Sequence, residues 1–409
     1  MSYWAGLGQR QTGIMATKNL PHIVPHIVIV GAGYAGLSAA RELTRRQVEA
    51  RLTVIDPHAE YAERVRFHQV AAGAAPTTYP LSDALVGLGA RFCQGHMTAL
   101  DADGKQVEIA VNGTRERLSY DHLILALGSR GARAAIPGAG AHMFSLDDID
   151  EARACGRAMK RLAAGGRVLI VGAGLTGLET ATECAECFPA LDMTLVDAGR
   201  LGRELSPAGA AHVRAWLEAH GIHILEDTRV CTITPGQAMT DRDAALPFDL
   251  CLWSAGFTVP DLVRNAGLAV TPQGQIQVDD RLRSPSHAGV LAAGDLAAAT
   301  CAAGRPLRQA CATAMPLGRQ AAVTLMADIT GQEAPAFDFS YRCRCISLGR
   351  ADGLIQFVDS ADQPLDLIWT GDKAARFKDY ICRGTLADMG FIRDAGPAPF
   401  AFPDLVSSA

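Results

Sequence analysis

Gly31-Ala32-Gly33-Tyr34-Ala35-Gly36 follows an apolar run, His26 to Val30, and opens a stretch that leads to a second apolar run ending at Asp56. The same layout returns at Gly172-Ala173-Gly174-Leu175-Thr176-Gly177, after Arg167 to Val171 and before a run ending at Asp197. Six of the ten residues from Gly31 to Ala40 recur between Gly172 and Ala181, and the acid follows the first glycine by 25 positions in both copies (56 − 31 and 197 − 172). Each part of the pattern has a physical reason. The first glycine permits a tight strand-to-helix turn, the second lets backbone approach a pyrophosphate, and the third lets the helix pack closely. The helix N-terminus presents unpaired N–H donors and the positive end of its dipole to phosphates. The acid accepts hydrogen bonds from ribose hydroxyls. One glycine-rich turn is common punctuation. Two, each with its strand, helix and spaced acid, predict two βαβ units holding one dinucleotide each, and so an enzyme that passes electrons between two dinucleotides.

The rest of the chain sets the frame. With 409 residues it exceeds one ordinary core, and 49% hydrophobic content with alternating β and α segments reads as globular α/β. Net charge is −5 without a dense basic run, which gives nucleic acid no electrostatic footprint. Arg41 to Arg46 reads as the solvated end of a helix. No apolar run approaches the ~18 residues that span a bilayer, and residues 1–21 read as a loose tail without a secretory pattern, in which Met15 is an alternative start. Eleven scattered cysteines fit a reducing cytoplasm. Cys184 and Cys187 fall late on the helix after the second glycine turn, as buried structural thiols. Cys343 and Cys345 share a strand face, with side chains too far apart for an easy disulfide. No set of four converging ligands suggests zinc.

Between the two units, Ala90–Gly95, Gln106–Val111 and Arg117–Leu118 read as a small antiparallel sheet, and Leu123–Leu127 as a strand ending in Ala126-Leu127-Gly128-Ser129. Helix 149–162 precedes the second glycine turn. Strands near 222–225, 230–233 and 250–253 complete that unit, and Ser254-Ala255-Gly256 repeats the small-residue crossover. An apolar strand then ends in Gly294-Asp295, followed by a helix over 310–328. Beyond 337 the chain offers strand-like pieces at 345–348, 354–358 and 367–369, an amphipathic helix near 373–384, and an irregular last fifteen residues.

With both glycine motifs, both crossovers and Ala293-Gly294-Asp295 in this order, the chain resembles the pyridine nucleotide–disulfide reductase superfamily. Among its branches it looks most like type II NADH dehydrogenases and apoptosis-inducing-factor-like flavoproteins, over roughly 25–330. The resemblance implies an α/β fold with two Rossmann-like domains in a glutathione-reductase-like arrangement and a small α+β C-terminal domain. Expected boundaries are 22–143 with 272–335 for FAD, 144–271 for NAD(P)H, and 336–409 for the C-terminal domain. It also implies that Gly31, Gly33, Tyr34, Ala35, Gly36 and Asp56 hold the ADP half of FAD. Met97, Ala126, Leu127, Gly128, Gly294, Asp295, Ala314 and Met315 belong to the same cofactor site, with Asp295 on a ribityl hydroxyl. Gly172, Gly174, Leu175, Thr176, Gly177, Asp197 and Gly256 belong to the nicotinamide nucleotide site, and Glu179 matches a glutamate near the nicotinamide. A carboxylate at Asp197 favours NADH, and NADPH is disfavoured; Arg200 and Arg203 read as a solvated loop.

Departures from the family narrow the role. The disulfide-reductase branch has two cysteines on the first glycine-turn helix, and Leu37–Gln47 contains none. The quinone-reducing branch has glutamines where this chain has Ala312, Ala314, Met315 and Pro316. The aromatic side of helix 373–384 (Phe377, Tyr380, Ile381) is expected to pack onto the flavin domain. Cys155 with Cys343 or Cys345 resembles the cysteines of sulfide:quinone reductases, against which the intact second motif speaks. His68 falls where the family's chain runs near the flavin, and a neutral imidazole there is a candidate proton donor. The expectation is a cytoplasmic FAD enzyme, monomer or homodimer, that takes hydride from NADH to flavin N5 and passes electrons to a quinone, small organic molecule, carrier protein or oxygen. No nucleophile, metal, nucleic acid or transmembrane segment is required, and peripheral membrane contact is disfavoured. Two alternatives stay open: an oxidase of a specialised metabolite with a vestigial nicotinamide site, and an NADH-responsive sensor or scaffold.

Overall fold

The computed structural model describes residues 24–132 and 136–403, so the tail expected over 1–21 lies outside the described residues. His26–Val30 is buried along its whole length, as a central parallel strand covered on both faces must be. It pairs in parallel with Arg51–Asp56 on one side and His122–Leu125 on the other. Val290–Ala292 and Arg91–Gln94 complete the sheet at its two ends, both parallel. Arg91–Gln94 therefore corrects the expected antiparallel placement of 90–95. The antiparallel sheet is instead built from His96–Asp101, Gln106–Val111 and Thr114–Ser119. Period-2 alternation was not diagnostic here, because an outer parallel strand is also half covered.

Helix α1 (Tyr34–Arg45) follows the first glycine turn, and the short α2 (Phe67–Ala71) occupies the stretch where the sequence has no clear period. In the second unit α3 (Ile149–Met159) starts at an Asp148 cap and follows the first strand of a five-stranded parallel sheet. Its order is Phe144–Ser145, Leu250–Trp253, Arg167–Val171, Asp192–Val196 and His223–Leu225. Helix α4 (Leu175–Cys187) leaves the second glycine turn. The expected strand at 230–233 runs Val230–Thr234 and starts a separate antiparallel sheet with Gln237–Thr240 and Ala245–Pro247. Val259, Val263 and Leu268 pack into the first unit's core beside Leu123 and Val290.

Helix α5 (Cys311–Thr330) returns to the first unit and lies along α1. The approach is close because Gly318 sits on the α1 backbone, where a Cβ would lie 2.0 Å from the Ala35 carbonyl oxygen. The C-terminal part is an antiparallel sheet of Cys343–Leu348, Asp352–Val358 and Pro364–Thr370, covered by helix α6 (Gly371–Met389). Phe377, with Tyr380 and Ile381, packs on that sheet against Ile355, Phe357 and Trp369. The expected docking of this aromatic side onto the flavin domain is thus corrected; only the last turns of α6, through Leu386 and Met389, reach the first unit's core. Residues 395–403 form no helix or strand, and Phe400 and Phe402 pack edge-on to Trp369 and Phe357. No described helix is long and apolar enough to cross a membrane.

Candidate functional site: two glycine cradles on one cavity

The two glycine turns are built alike. Gly31 and Gly172 both sit at φ +103°, a region open to glycine and rarely to other residues. A Cβ on Gly31 would lie 2.2 Å from the Ala126 carbonyl oxygen, and one on Gly172 would lie 2.8 Å from the Ala255 nitrogen. The crossover strands therefore press directly on the turns. On Gly36 or Gly177 a Cβ would lie 1.8 Å from the carbonyl oxygen of Gly31 or Gly172, so these third glycines serve packing. Around the second glycines, Gly33 and Gly174, nothing lies within 4 Å of the Cβ position, and both line the cavity. Helices α1 and α4 begin there without a side-chain cap, which leaves their first N–H groups for a ligand. That is the cradle a pyrophosphate requires.

The acids also match. Asp56 Oδ2 accepts from the Ala32 N–H at 2.7 Å and Oδ1 from the His58 N–H at 2.9 Å. Asp197 Oδ2 accepts from the Ala173 N–H at 2.7 Å and Oδ1 from the Gly199 N–H at 2.7 Å. Beyond the acids the copies diverge. The His58 ring lies between Asp56 and Asp148, and its hydrogen bond to Asp56, aided by Asp148, raises its pKa to about 9. At the second acid stands Arg203, 4.0 Å from Asp197 and largely exposed.

Both cradles open onto one cavity of about 2230 Å³, more than twice the upper end of an ordinary single-ligand pocket (about 300–1,000 Å³). Gly294, Asp295, Ala314, Met315, Leu127, Gly128, Gly256, Leu175 and Thr176 line it, with both acids, Tyr34 and Ala35. Met97 does not: it is buried in the first unit's core beside Ile109 and Leu123. Neither Gly36 nor Gly177 lines the cavity. The Asp295 carboxyl accepts from Ser129 Oγ at 2.6 Å, and burial holds its pKa above the ordinary value.

Between the cradles, α2, α4 and α6 meet at a buried polar cluster. Glu179 Oε1 takes the Ser347 N–H at 3.0 Å and the Lys378 ammonium. The Nδ1 of His68 lies 3.7 Å from Glu179 Oε2. Burial, the largest single influence, would depress the Lys378 pKa, but the charge and hydrogen bond of Glu179, with the nearby Cys382 and Cys345 sulfurs, together hold the ammonium above its ordinary value. His68 is 3% exposed, and burial depresses its pKa to about 4, so its ring is neutral near pH 7. Its Nε2 has no hydrogen-bond partner.

A family model for pyridine nucleotide-disulphide oxidoreductases matches residues 25–318. The chain belongs to that family. It is 28% identical over 346 residues to an NADH dehydrogenase-like protein of Mycobacterium tuberculosis, covering 80% of this chain and 86% of that protein. It is 27% identical over 391 residues to a type II NADH:quinone oxidoreductase of Staphylococcus haemolyticus, covering 87% and 93%. Among solved structures, the sulfide:quinone oxidoreductase of Aquifex aeolicus superposes with a TM-score of 0.77 at 17% identity, covering 92% of this chain and 93% of that one. At that identity the likeness speaks for the fold alone. The chain is thus an oxidoreductase of this family, in which flavin and pyridine nucleotide are the implied cofactors. Both cradles fit such groups, through the open backbone at Gly33 and Gly174.

The sequence reading missed several cavity residues. Lys378 sits among the buried residues of α6, Ala374, Lys378, Cys382, Thr385 and Met389. A lysine in step with that stripe was a legible signal of a buried charge. Cys311, Cys343, Cys345 and Cys382 also line the cavity. The Cys343 and Cys345 sulfurs are 3.8 Å apart, closer than strand spacing suggested, because their side chains lean together. Cys184 is buried as expected, whereas Cys187 is exposed. Arg200 and Arg203 are exposed as a solvated loop would be. Arg41, Arg45 and Arg46 line the cavity instead of facing only solvent. No group of three His, Cys, Asp or Glu side chains suited to a metal ion occurs among the described residues.

Proposed function

We propose that the chain is an FAD-dependent enzyme that oxidises NADH and hands the electrons to an acceptor bound beside the C-terminal helix α6. The observation that carries this reading is the convergence of two matching glycine cradles on one cavity, with Glu179, Lys378 and His68 between them. Gly31, Gly33, Asp56, Ala126, Gly128 and Asp295 hold FAD in this reading, within residues 22–143 and 272–335. Gly172, Gly174, Leu175, Thr176 and Asp197 hold NADH in a unit that ends before Val259, since Val259 to Leu268 pack with the first core. Bound flavin supplies the hydride and electron chemistry, which this chain's residues position and tune.

Lys378, charged and buried, offers a positive group and a proton at Nζ toward developing negative charge on the flavin or acceptor. Glu179 fixes that ammonium and is itself anchored by the Ser347 N–H. Neutral His68 lines the cavity, and its buried Nε2 has no hydrogen-bond partner of its own. Asp197 favours a free ribose 2′-hydroxyl over a 2′-phosphate, hence NADH. The small cavity-facing residues of the crossovers leave room for flat rings. A cytoplasmic location accompanies this reading.

Anaerobic stopped-flow mixing of yellow holoenzyme with NADH or NADPH tests it. Rapid bleaching by NADH followed by turnover with an acceptor is expected. Slow bleaching by NADH beside fast bleaching by a metabolite would replace the reading with an oxidase. A long-lived reduced state without turnover would make the protein a sensor.

A further inference from the structure

Beside the first cradle the cavity runs on between three helices, and the residues along it have a definite chemistry. Helix α1 contributes Tyr34, Ser38, Arg41 and Arg45; α5 contributes Cys311, Met315, Arg319 and Val323; α6 contributes Lys378, Cys382, Thr385 and Asp388. Steps of three and four keep each set on one helix face. Eleven residues of helix at ~1.5 Å each give the channel a length of roughly 16 Å. The three stripes run together. At the inner end Tyr34 lies within electrostatic range of Cys311 and Cys382. At the outer end Arg319 pairs with Asp388, and Arg41 packs over Gly390 at the end of α6.

The outer end is positive. Arg41, Arg45, Arg46 and Arg319 meet two carboxylates, Glu42 and Asp388. Glu42 is already shared by Arg45 and Arg46, and Asp388 by Arg319. Among the described residues Arg41 forms no ion pair. At the inner end the Tyr34 and Tyr61 rings meet edge to face, with both hydroxyls buried. A long hydrocarbon tail threaded here would cover guanidinium and carboxylate groups with nothing to replace their water. An anion at the mouth would instead meet surplus positive charge in a narrow cleft, where fields are focused.

We propose that the acceptor is a small redox-active anion, carrying a carboxylate, sulfonate or phosphate that Arg41 and Arg319 hold at the mouth. Its reducible end lies beside Tyr34, Tyr61 and Lys378. The proposal rests on the NADH-oxidising function above and names the class of its second substrate. In balance, NADH gives up two electrons and one proton as hydride, the acceptor gains two electrons and two protons, and the second proton comes from water.

The test compares 1,4-naphthoquinone with its 2-sulfonate at low ionic strength, after NADH reduction of the flavin has been confirmed anaerobically. The sulfonate should show a kcat/KM at least about tenfold higher after correction for its driving force, the size expected of one charge-assisted contact. The advantage should shrink with added salt and reside in KM. Arg41→Glu should abolish it and Arg41→Lys should keep most of it. Calorimetric binding of non-reducible naphthalene-2-sulfonate to oxidised holoenzyme gives a readout independent of turnover; Arg41→Glu should weaken it by a similar factor. Equal use of both quinones with no sulfonate binding would overturn the proposal. So would a preference for a long-chain quinone delivered in anionic vesicles, which would make the arginines a membrane contact. Failure of NADH to reduce the flavin would instead remove the function on which the proposal rests, while the calorimetry would still report on the anion site.

Discussion

The two glycine units differ by 141 positions in sequence and hardly at all in local geometry. Their first glycines share φ +103°, their third glycines press on the same carbonyl at the same distance, and their acids take the same pair of backbone N–H groups. What distinguishes them lies outside the motif. Helix α1 packs along α5 and turns Ser38 to the channel, whereas α4 carries Glu179 at the matching position (38 + 141 = 179) and meets Lys378 from the C-terminal helix. A short local pattern specifies the cradle, and the neighbours decide what happens beside it.

The largest expected effect comes from breaking that difference. Lys378→Met would leave the Glu179 carboxylate buried with its main counter-charge gone, a change worth about 3–5 kcal/mol in comparable buried pairs. Urea unfolding should show a loss of this order, and Glu179→Gln on top of it should recover part. If the single variant is within about 1 kcal/mol of wild type, as exposed pairs are, the cluster does not join the three helices energetically.

A second prediction is about pH. The folded-state pKa of His68, about 4, lies below the unfolded value of 6.5. The unfolded chain therefore takes up this proton first as pH falls. Stability contributed by the neutral ring is present above pH 6.5, declines below it, and is lost by pH 4. The total is on the order of 3 kcal/mol, at 1.36 kcal/mol per pKa unit. His68→Gln should flatten stability over that window relative to wild type. An unchanged slope would mean that His68 is already solvated.

Smaller, and aimed at the similarity of the copies, is Asp197→Ser. Losing a charge-assisted hydrogen bond should weaken NADH by roughly 1.5–3 kcal/mol and raise the relative use of NADPH. Flavin content should stay normal, because the matching Asp56 is untouched. An unaltered NADH/NADPH ratio would show that the acid serves only its own turn.

The smallest expected effect is none. Burial lifts the Cys311 thiol to about 12 and the Cys382 thiol to about 11, and contact with Cys343, together with burial, holds Cys345 well above its ordinary value. Protonated thiols are poor partners in exchange. Dithionite titration of holoenzyme should therefore take up about two electrons per flavin, and serine at Cys155, Cys343 and Cys345 should leave flavin reduction by NADH within a few-fold of wild type. Uptake of four electrons would make the 3.8 Å sulfur pair a redox couple.

The sequence alone determined the two cradles, the crossovers and the Gly-Asp strand end, because each depends on contacts within a turn or between adjacent strands, which glycine spacing and apolar runs encode directly. Through the family resemblance that its motifs carry, it also singled out Glu179, Asp295 and His68, all of which line the cavity. Only the tertiary structure decided that Arg91–Gln94 joins the parallel sheet, that Met97 faces a core, and that the aromatic side of α6 covers its own sheet. Local alternation and amphipathicity state that a face is covered and are silent on what covers it. The same limit applies to Lys378 and to Arg41 through Arg46: a periodic pattern assigns them a helix face, but whether that face meets solvent, a carboxylate or a channel depends on helices distant in the chain.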